Sequence, residues 1–158
     1  MYTVRNVADI VHLKDGLEAA GAENTAVIGG GFIGIEVAEN LAKAGKKVTV
    51  VEAMSQILAP FDYDMVQMLH KELLDNGVSL IVDDGVKTIE EKQITLASGK
   101  TVPADAVILA IGVAPETGLA KAAGLEIGET GGIWWITTTA QVIKIFMRLV
   151  MPLRSLTV

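Results

Sequence analysis

Residues 27–37 read VIGGGFIGIEV, an apolar run that breaks into glycines and resumes with helical spacing. Thr25–Ile28 has the composition of a short strand buried on both faces. Ile33, Val37, Leu41 and Ala44 recur at intervals of three and four up to Gly45, which predicts a helix over 32–44. A strand that turns directly into a helix through glycine fits few architectures. Gly29, Gly31 and Gly34 also form GxGxxG, with Gly30 as a further small residue. Gly29 suits a tight turn out of the strand, Gly31 lets backbone N–H groups approach a pyrophosphate, and Gly34 lets the helix pack closely on the sheet. The helix would then aim its positive N-terminal end at the phosphates.

The rest of the chain supplies the context this motif needs. Lys47–Val51 is a β-branched strand ending at Glu52, 18 residues beyond Gly34. A carboxylate there accepts hydrogen bonds from both adenosine ribose hydroxyls and repels a 2′-phosphate, which favours NAD(H) over NADP(H). Helices are expected over 9–20, with Ile10, Leu13 and Leu17 at helical spacing, and from Asp62 or Asp64 to Asn76, with Met65, Met68, Leu69 and Leu73 inward. Residues 78–82 and 105–111 read as buried strands, and 115–123 as a short helix. Between those two strands, 85–89, 93–97 and 100–102 alternate and are joined by short turns, as an antiparallel meander does. The expected fold is α/β and Rossmann-like, in three layers, with a central parallel sheet and the meander as its last crossover. The 51% hydrophobic and 4% aromatic composition suits such an aliphatic core.

Other chemistry is poorly represented. With no cysteine, neither a disulfide nor a thiolate nucleophile lies within these residues. His12 and His70 fall within helical patterns and read as surface or packing residues. Asp83-Asp84 reads as a turn, Glu90-Glu91-Lys92 as a solvated hairpin, and Met54 as core. No catalytic residue and no metal site are expected. A net charge of −6 argues against a nucleic-acid partner. No run of 18 apolar residues suggests a membrane span, and the N-terminus lacks a signal-peptide layout, so a cytoplasmic protein is expected.

Four blocks in order give a more specific reading: VIGGGFIGIEVAENLAKAGKKVTVVE, ILAPFDYDM, ADAVILAIGVAPET and LAKAAGL. From Arg5 to Gly132 the chain resembles the NAD-binding domain of the flavoprotein pyridine nucleotide-disulfide oxidoreductases. The nearest group is the coenzyme A-disulfide reductases, NADH oxidases and NADH peroxidases. The resemblance implies that Phe32 is an aromatic covering the nicotinamide side of a flavin, and that Glu36 approaches the nicotinamide carboxamide. It implies that Ile111-Gly112 end a strand passing close to the cofactor, with Ile33 also in the site. In such enzymes a hydride passes from NADH to FAD, and electrons then reach a redox cysteine and its substrate. FAD and that cysteine belong to a domain expected before Met1, and the parent protein is expected to be a homodimer.

By this reading, residues 1–22 are a linker and helix from the FAD domain, 23–132 the NAD(H)-binding domain, and 133–158 an aberrant tail. The tail carries both tryptophans, Lys144, Arg148 and Arg154 but no acid, although the chain holds 19 acids in all. Joining the third base of each codon to the next two forces Val at Trp134-Trp135, Asp at Trp135-Ile136 and Ala at Met151-Pro152. One permitted translation is VDHHYRTSDKDIYAVGDAIEVT, which resembles the family's flavin-contacting continuation. A frameshift near codon 134 is therefore expected. The expected product binds NADH without turning it over. The alternatives are a free-standing NAD-sensing module and a single-domain Rossmann dehydrogenase, which would need a Tyr-Lys or His-acid pair that is not visible.

Overall fold

The computed structural model describes residues 1–134, so the frameshift expected for the tail falls almost wholly on residues outside those described. The chain divides into two compact units, Met1–Gly112 and Val113–Val158.

In the first unit, β1 (Tyr2–Thr3) leads into α1 (Val7–Ala19), followed by β2 (Asn24–Ile28), α2 (Phe32–Lys43), β3 (Lys47–Val51), α3 (Tyr63–Asp75) and β4 (Ser79–Ile81). Then come β5 (Val86–Ile89), β6 (Gln93–Leu96), β7 (Thr101–Pro103) and β8 (Ala106–Leu109). The parallel sheet has the order β1-β8-β2-β3-β4, and β5-β6-β7 form a separate antiparallel sheet. The expected α/β architecture with its meander is present. Strand β1 was not anticipated, because two residues pairing Tyr2 with Ile108 and Thr3 with Leu109 are too short to show periodicity.

Side-chain alternation sorts the core into two layers. Val27, Val48, Val50 and Ile108 pack with Leu13 and Leu17 of α1, Ala38 and Leu41 of α2, and Val66 and Leu73 of α3. Ala26, Ile28, Val51 and Val107 face the other way, onto Ile94, Leu96 and Val102 of the small sheet. Helices therefore cover one face of the parallel sheet and the meander covers the other. Residues 1–22 contribute to the same core as the glycine-rich unit.

Three helix faces differ from the sequence reading. Ile10 is 52% exposed, Ile33 40%, Met65 50% and Met68 69%. The inward stripe of α2 runs through Gly34, Ala38 and Leu41, and that of α3 through Val66 and Leu73. Ranking residues by apolar size hides a stripe of small residues, and small residues are what bring α2 close to the sheet. Met54, read as core, is 59% exposed.

Asp105 joins the starts of β2 and β8. Its Oδ2 accepts from the Asn24 N–H at 2.9 Å, the Asn24 amide at 3.1 Å and the Glu23 N–H at 3.2 Å. Its own N–H donates to the Asn24 carbonyl at 2.8 Å. The Asn24 backbone bond, then the Asn24 amide and the Glu23 N–H, hold the carboxyl down from 3.8 to about 2. A carboxyl depressed on folding stabilises the fold above its unfolded value, and that stabilisation disappears as pH falls through the folded value. Asp105→Asn should therefore flatten the acid limb of the stability curve between about pH 4 and pH 2, read as the urea midpoint against pH. An unchanged limb would contradict this account.

In the second unit, described as far as Trp134, α4 (Gly118–Ala122) lies within the helix expected over 115–123, and Ile127 bridges Ile133. No helix among the described residues is long and apolar enough to cross a membrane.

Candidate dinucleotide site

The four glycines after β2 do different work. Gly29 has φ +107°, and a Cβ there would stand 2.3 Å from the Ala110 carbonyl oxygen. A Cβ on Gly30 would stand 2.5 Å from Cγ2 of the fully buried Ile57, and one on Gly34 would stand 1.9 Å from the Gly29 carbonyl oxygen. Packing alone accounts for these three.

Gly31 is different. Its φ of −76° and ψ of −178° suit any residue, and nothing lies within 4 Å of a Cβ placed there. It caps the 12-residue α2, and its N–H has no hydrogen-bond partner among the described residues. The protein itself gives no reason for glycine at this position. An anion that must approach backbone N–H groups at a helix N-terminus does.

Glu52 stands opposite. Its N–H continues the ladder to the Ile81 carbonyl at 2.8 Å. Its Oε2 accepts from the Gly30 N–H at 2.7 Å, and its Oε1 from the Met54 N–H at 2.8 Å. The acid therefore fixes both its own turn and the glycine loop. Two acceptor positions of a carboxylate that offers about four are used, which leaves capacity for ligand hydroxyls.

A cleft of about 460 Å³ opens between these walls. Gly29, Gly30, Gly31, Phe32, Glu52, Ile111 and Gly112, all expected in the site, line it. Gly34 lies beneath, within the helix-to-sheet contact. Ile33 and Glu36 are placed elsewhere, on a separate groove of about 1040 Å³ between α1 and α2, and Phe32 alone borders both cavities. Phe32 is 64% exposed and meets Phe61 edge to face, with ring centroids 5.9 Å apart.

Sequence reasoning missed the far wall, formed by Ala53, Met54, Gln56, Leu58, Ala59, Pro60, Gly85 and Val86. Leu58 has φ +47° and hydrogen-bonds through its N–H to the Gly30 carbonyl at 2.8 Å. Apolar residues around Pro60 give no periodic signal, so this segment was visible only as part of a family-like block. His70 supports it from α3, because Nε2 accepts the Ile57 N–H at 3.4 Å. Burial pushes the imidazole down from its usual value, which favours the neutral form that can accept. Among the described residues no group of acids and histidines could hold a metal ion.

The sequence pattern of the pyridine nucleotide-disulphide oxidoreductases matches residues 1–143. The NAD(P)H coenzyme A polysulfide/persulfide reductase of Pyrococcus horikoshii is 37% identical over 140 residues, covering 85% of this chain and 31% of that protein. The NADH oxidase of Methanocaldococcus jannaschii is 35% identical over 133 residues, covering 82% and 30%. Among solved structures, reduced Bacillus anthracis CoADR-RHD superposes with a TM-score of 0.82 at 40% identity, covering 89% of this chain and 26% of that one. The chain spans about a third of the length of the curated relatives it matches.

Proposed function

Because this chain belongs to the pyridine nucleotide-disulphide oxidoreductase family, we propose that its glycine-lined cleft is the NAD(H) site of a flavoprotein reductase. The observation that carries the proposal is Gly31, whose missing side chain serves a space in front of α2 and nothing in the protein. In this reading the Gly31 N–H and the α2 N-terminus hold the pyrophosphate, and Glu52 takes the adenosine ribose hydroxyls. The chain's single GxGxxG accounts for one dinucleotide, and no cysteine is present to take electrons onward. NADH would supply a hydride to FAD in the parent protein, with the electrons going on to a disulfide, a peroxide or oxygen. This chain binds the donor and does not turn over by itself.

Phe32 is the natural boundary between the two cofactors, since it borders both the cleft and the α1–α2 groove. In this reading Glu36, which lies on that groove and not in the cleft, meets the carboxamide beyond Phe32, where the flavin-bearing part of the parent comes into contact. The groove offers Val7 and Ile10 at 75% and 52% exposure, a face suited to packing against it.

Preference for NADH follows from Glu52. A 2′-phosphate would meet a carboxylate already fixed by two N–H groups that cannot follow it aside. Calorimetric titration should show NADH binding more tightly than NADPH. Glu52→Ala should weaken NADH by about tenfold or more, because both the ribose bonds and the support of the Gly30 N–H disappear. NADPH binding as tightly as NADH to the unaltered chain would overturn the assignment.

A further inference from the structure

Of the bend after β4 only Gly85 lines the cleft, yet the two residues before it donate their N–H groups to the turn that carries Glu52. Asp83 takes φ +57°, a left-handed conformation that aspartate tolerates better than most residues. Its N–H donates to the Met54 carbonyl at 2.9 Å, and the Asp84 N–H donates to the Glu52 carbonyl at 3.3 Å. The backbone that leaves the cleft's acid, at the Glu52 and Met54 carbonyls, is therefore held by residues 83 and 84.

That bend is itself clamped. The Asp84 carboxylate accepts the Ser98 N–H at 3.0 Å and the Ser98 hydroxyl at 2.5 Å, and the Ala97 N–H donates to the Gly85 carbonyl at 2.7 Å. Ser98 lies in the turn between β6 and β7, so that turn of the antiparallel sheet is tied to the bend through Ser98 and the Ala97 N–H. A Cβ placed on Gly85 would stand 3.6 Å from Cβ of Ala53, in ordinary contact. A solvated turn would need none of these contacts. The two carboxylate oxygens accept both donors of Ser98 together.

We propose that Asp84 is a positioning residue for Glu52, through which the small sheet sets the preference for NADH over NADPH. The proposal rests on the reading of the cleft as an NAD(H) site. With Asp84 in place, the Glu52 and Met54 carbonyls are fixed, and the Glu52 carboxylate is aimed at the Gly30 N–H and the ribose position. Without it the 83–85 bend loosens, and Glu52 spends less time in the geometry that takes two hydroxyls and excludes a phosphate.

The test is a double-mutant cycle on the full chain, with NADH and NADPH titrated separately by calorimetry and melting followed by circular dichroism. Asp84→Ala should weaken NADH by about tenfold and NADPH by less than about twofold, so the ratio of affinities falls. In a Glu52→Ala background, Asp84→Ala should change NADH binding by less than about twofold, because the residue through which it acts is gone. Ser98→Ala, which leaves the carboxylate and loses one donor, should shift the ratio the same way by about threefold and keeps the test open should Asp84→Ala fold poorly. Equal losses for both nucleotides, or a full effect persisting in the Glu52→Ala background, would overturn the positioning role. An unaltered chain that binds NADH while Asp84→Ala and Ser98→Ala leave the ratio unchanged sinks this proposal alone. An unaltered chain that binds neither nucleotide sinks the reading beneath it.

Discussion

Gly31→Val is expected to leave the fold intact and to weaken NADH binding by roughly 100-fold or more. The backbone at Gly31 already has an ordinary extended conformation, and no atom lies within 4 Å of the new Cβ. A side chain there narrows the unfolded ensemble, and the poorer N-capping of valine offsets that by about 1 kcal/mol. Stability should therefore change by about 1 kcal/mol or less. Binding has no such tolerance. Backbone N–H groups reach a phosphate oxygen at about 3 Å only where no side chain stands in front of them. Calorimetry alongside a thermal melt separates the two effects, and a valine variant that binds NADH normally would place the anion elsewhere.

Gly34→Ala should fail in the opposite way. The added Cβ would lie 1.9 Å from the Gly29 carbonyl oxygen and 3.3 Å from Cβ of Ala110. The first is a backbone atom at the end of β2, and it cannot move without lifting α2 from the sheet or opening the Gly29 turn. We expect a loss of about 3 kcal/mol in stability, seen as a fall in Tm of about 10 °C, with NADH affinity falling as well. A wild-type Tm would show that α2 does not lie this close. The two glycines, three residues apart in one motif, thus give a binding defect without a folding defect and a folding defect that brings a binding defect with it.

The same contrast shows what could be read from the sequence. The β2–Gly–α2 unit, β3 ending at Glu52 and the meander were legible because each has a local cause: a glycine of one kind, a carboxylate at a strand end, or alternation over four residues. Gly29 and Gly34 could be assigned their roles before any coordinates, because a tight turn and a close helix leave few other choices. The Glu52–Gly30 bond was not legible. It joins residues 22 positions apart, and a glutamate at a strand end says nothing of which N–H it will find. Leu58 to Pro60 were hidden for a similar reason, since their place on the cleft depends on a left-handed Leu58 and on Ile57 filling the space beneath Gly30. The outward methionines of α3 were misjudged because helical spacing names a stripe without saying which of two adjacent stripes the sheet will cover. Asp84 read as an ordinary turn residue, and only the folded positions of Ser98 and the Glu52 carbonyl give it a further role.

The claim on which all of this depends is that the cleft above α2 receives the dinucleotide. Backbone amide NMR of the chain titrated with NADH tests it most directly. The account predicts saturable shifts at Gly31, Phe32, Ala53, Met54, Gly85 and Gly112, the amides around the cleft, with the exposed face of α3 at Met65 and Met68 unmoved. Saturable shifts confined to any other face, or none at these amides at millimolar NADH, would contradict it.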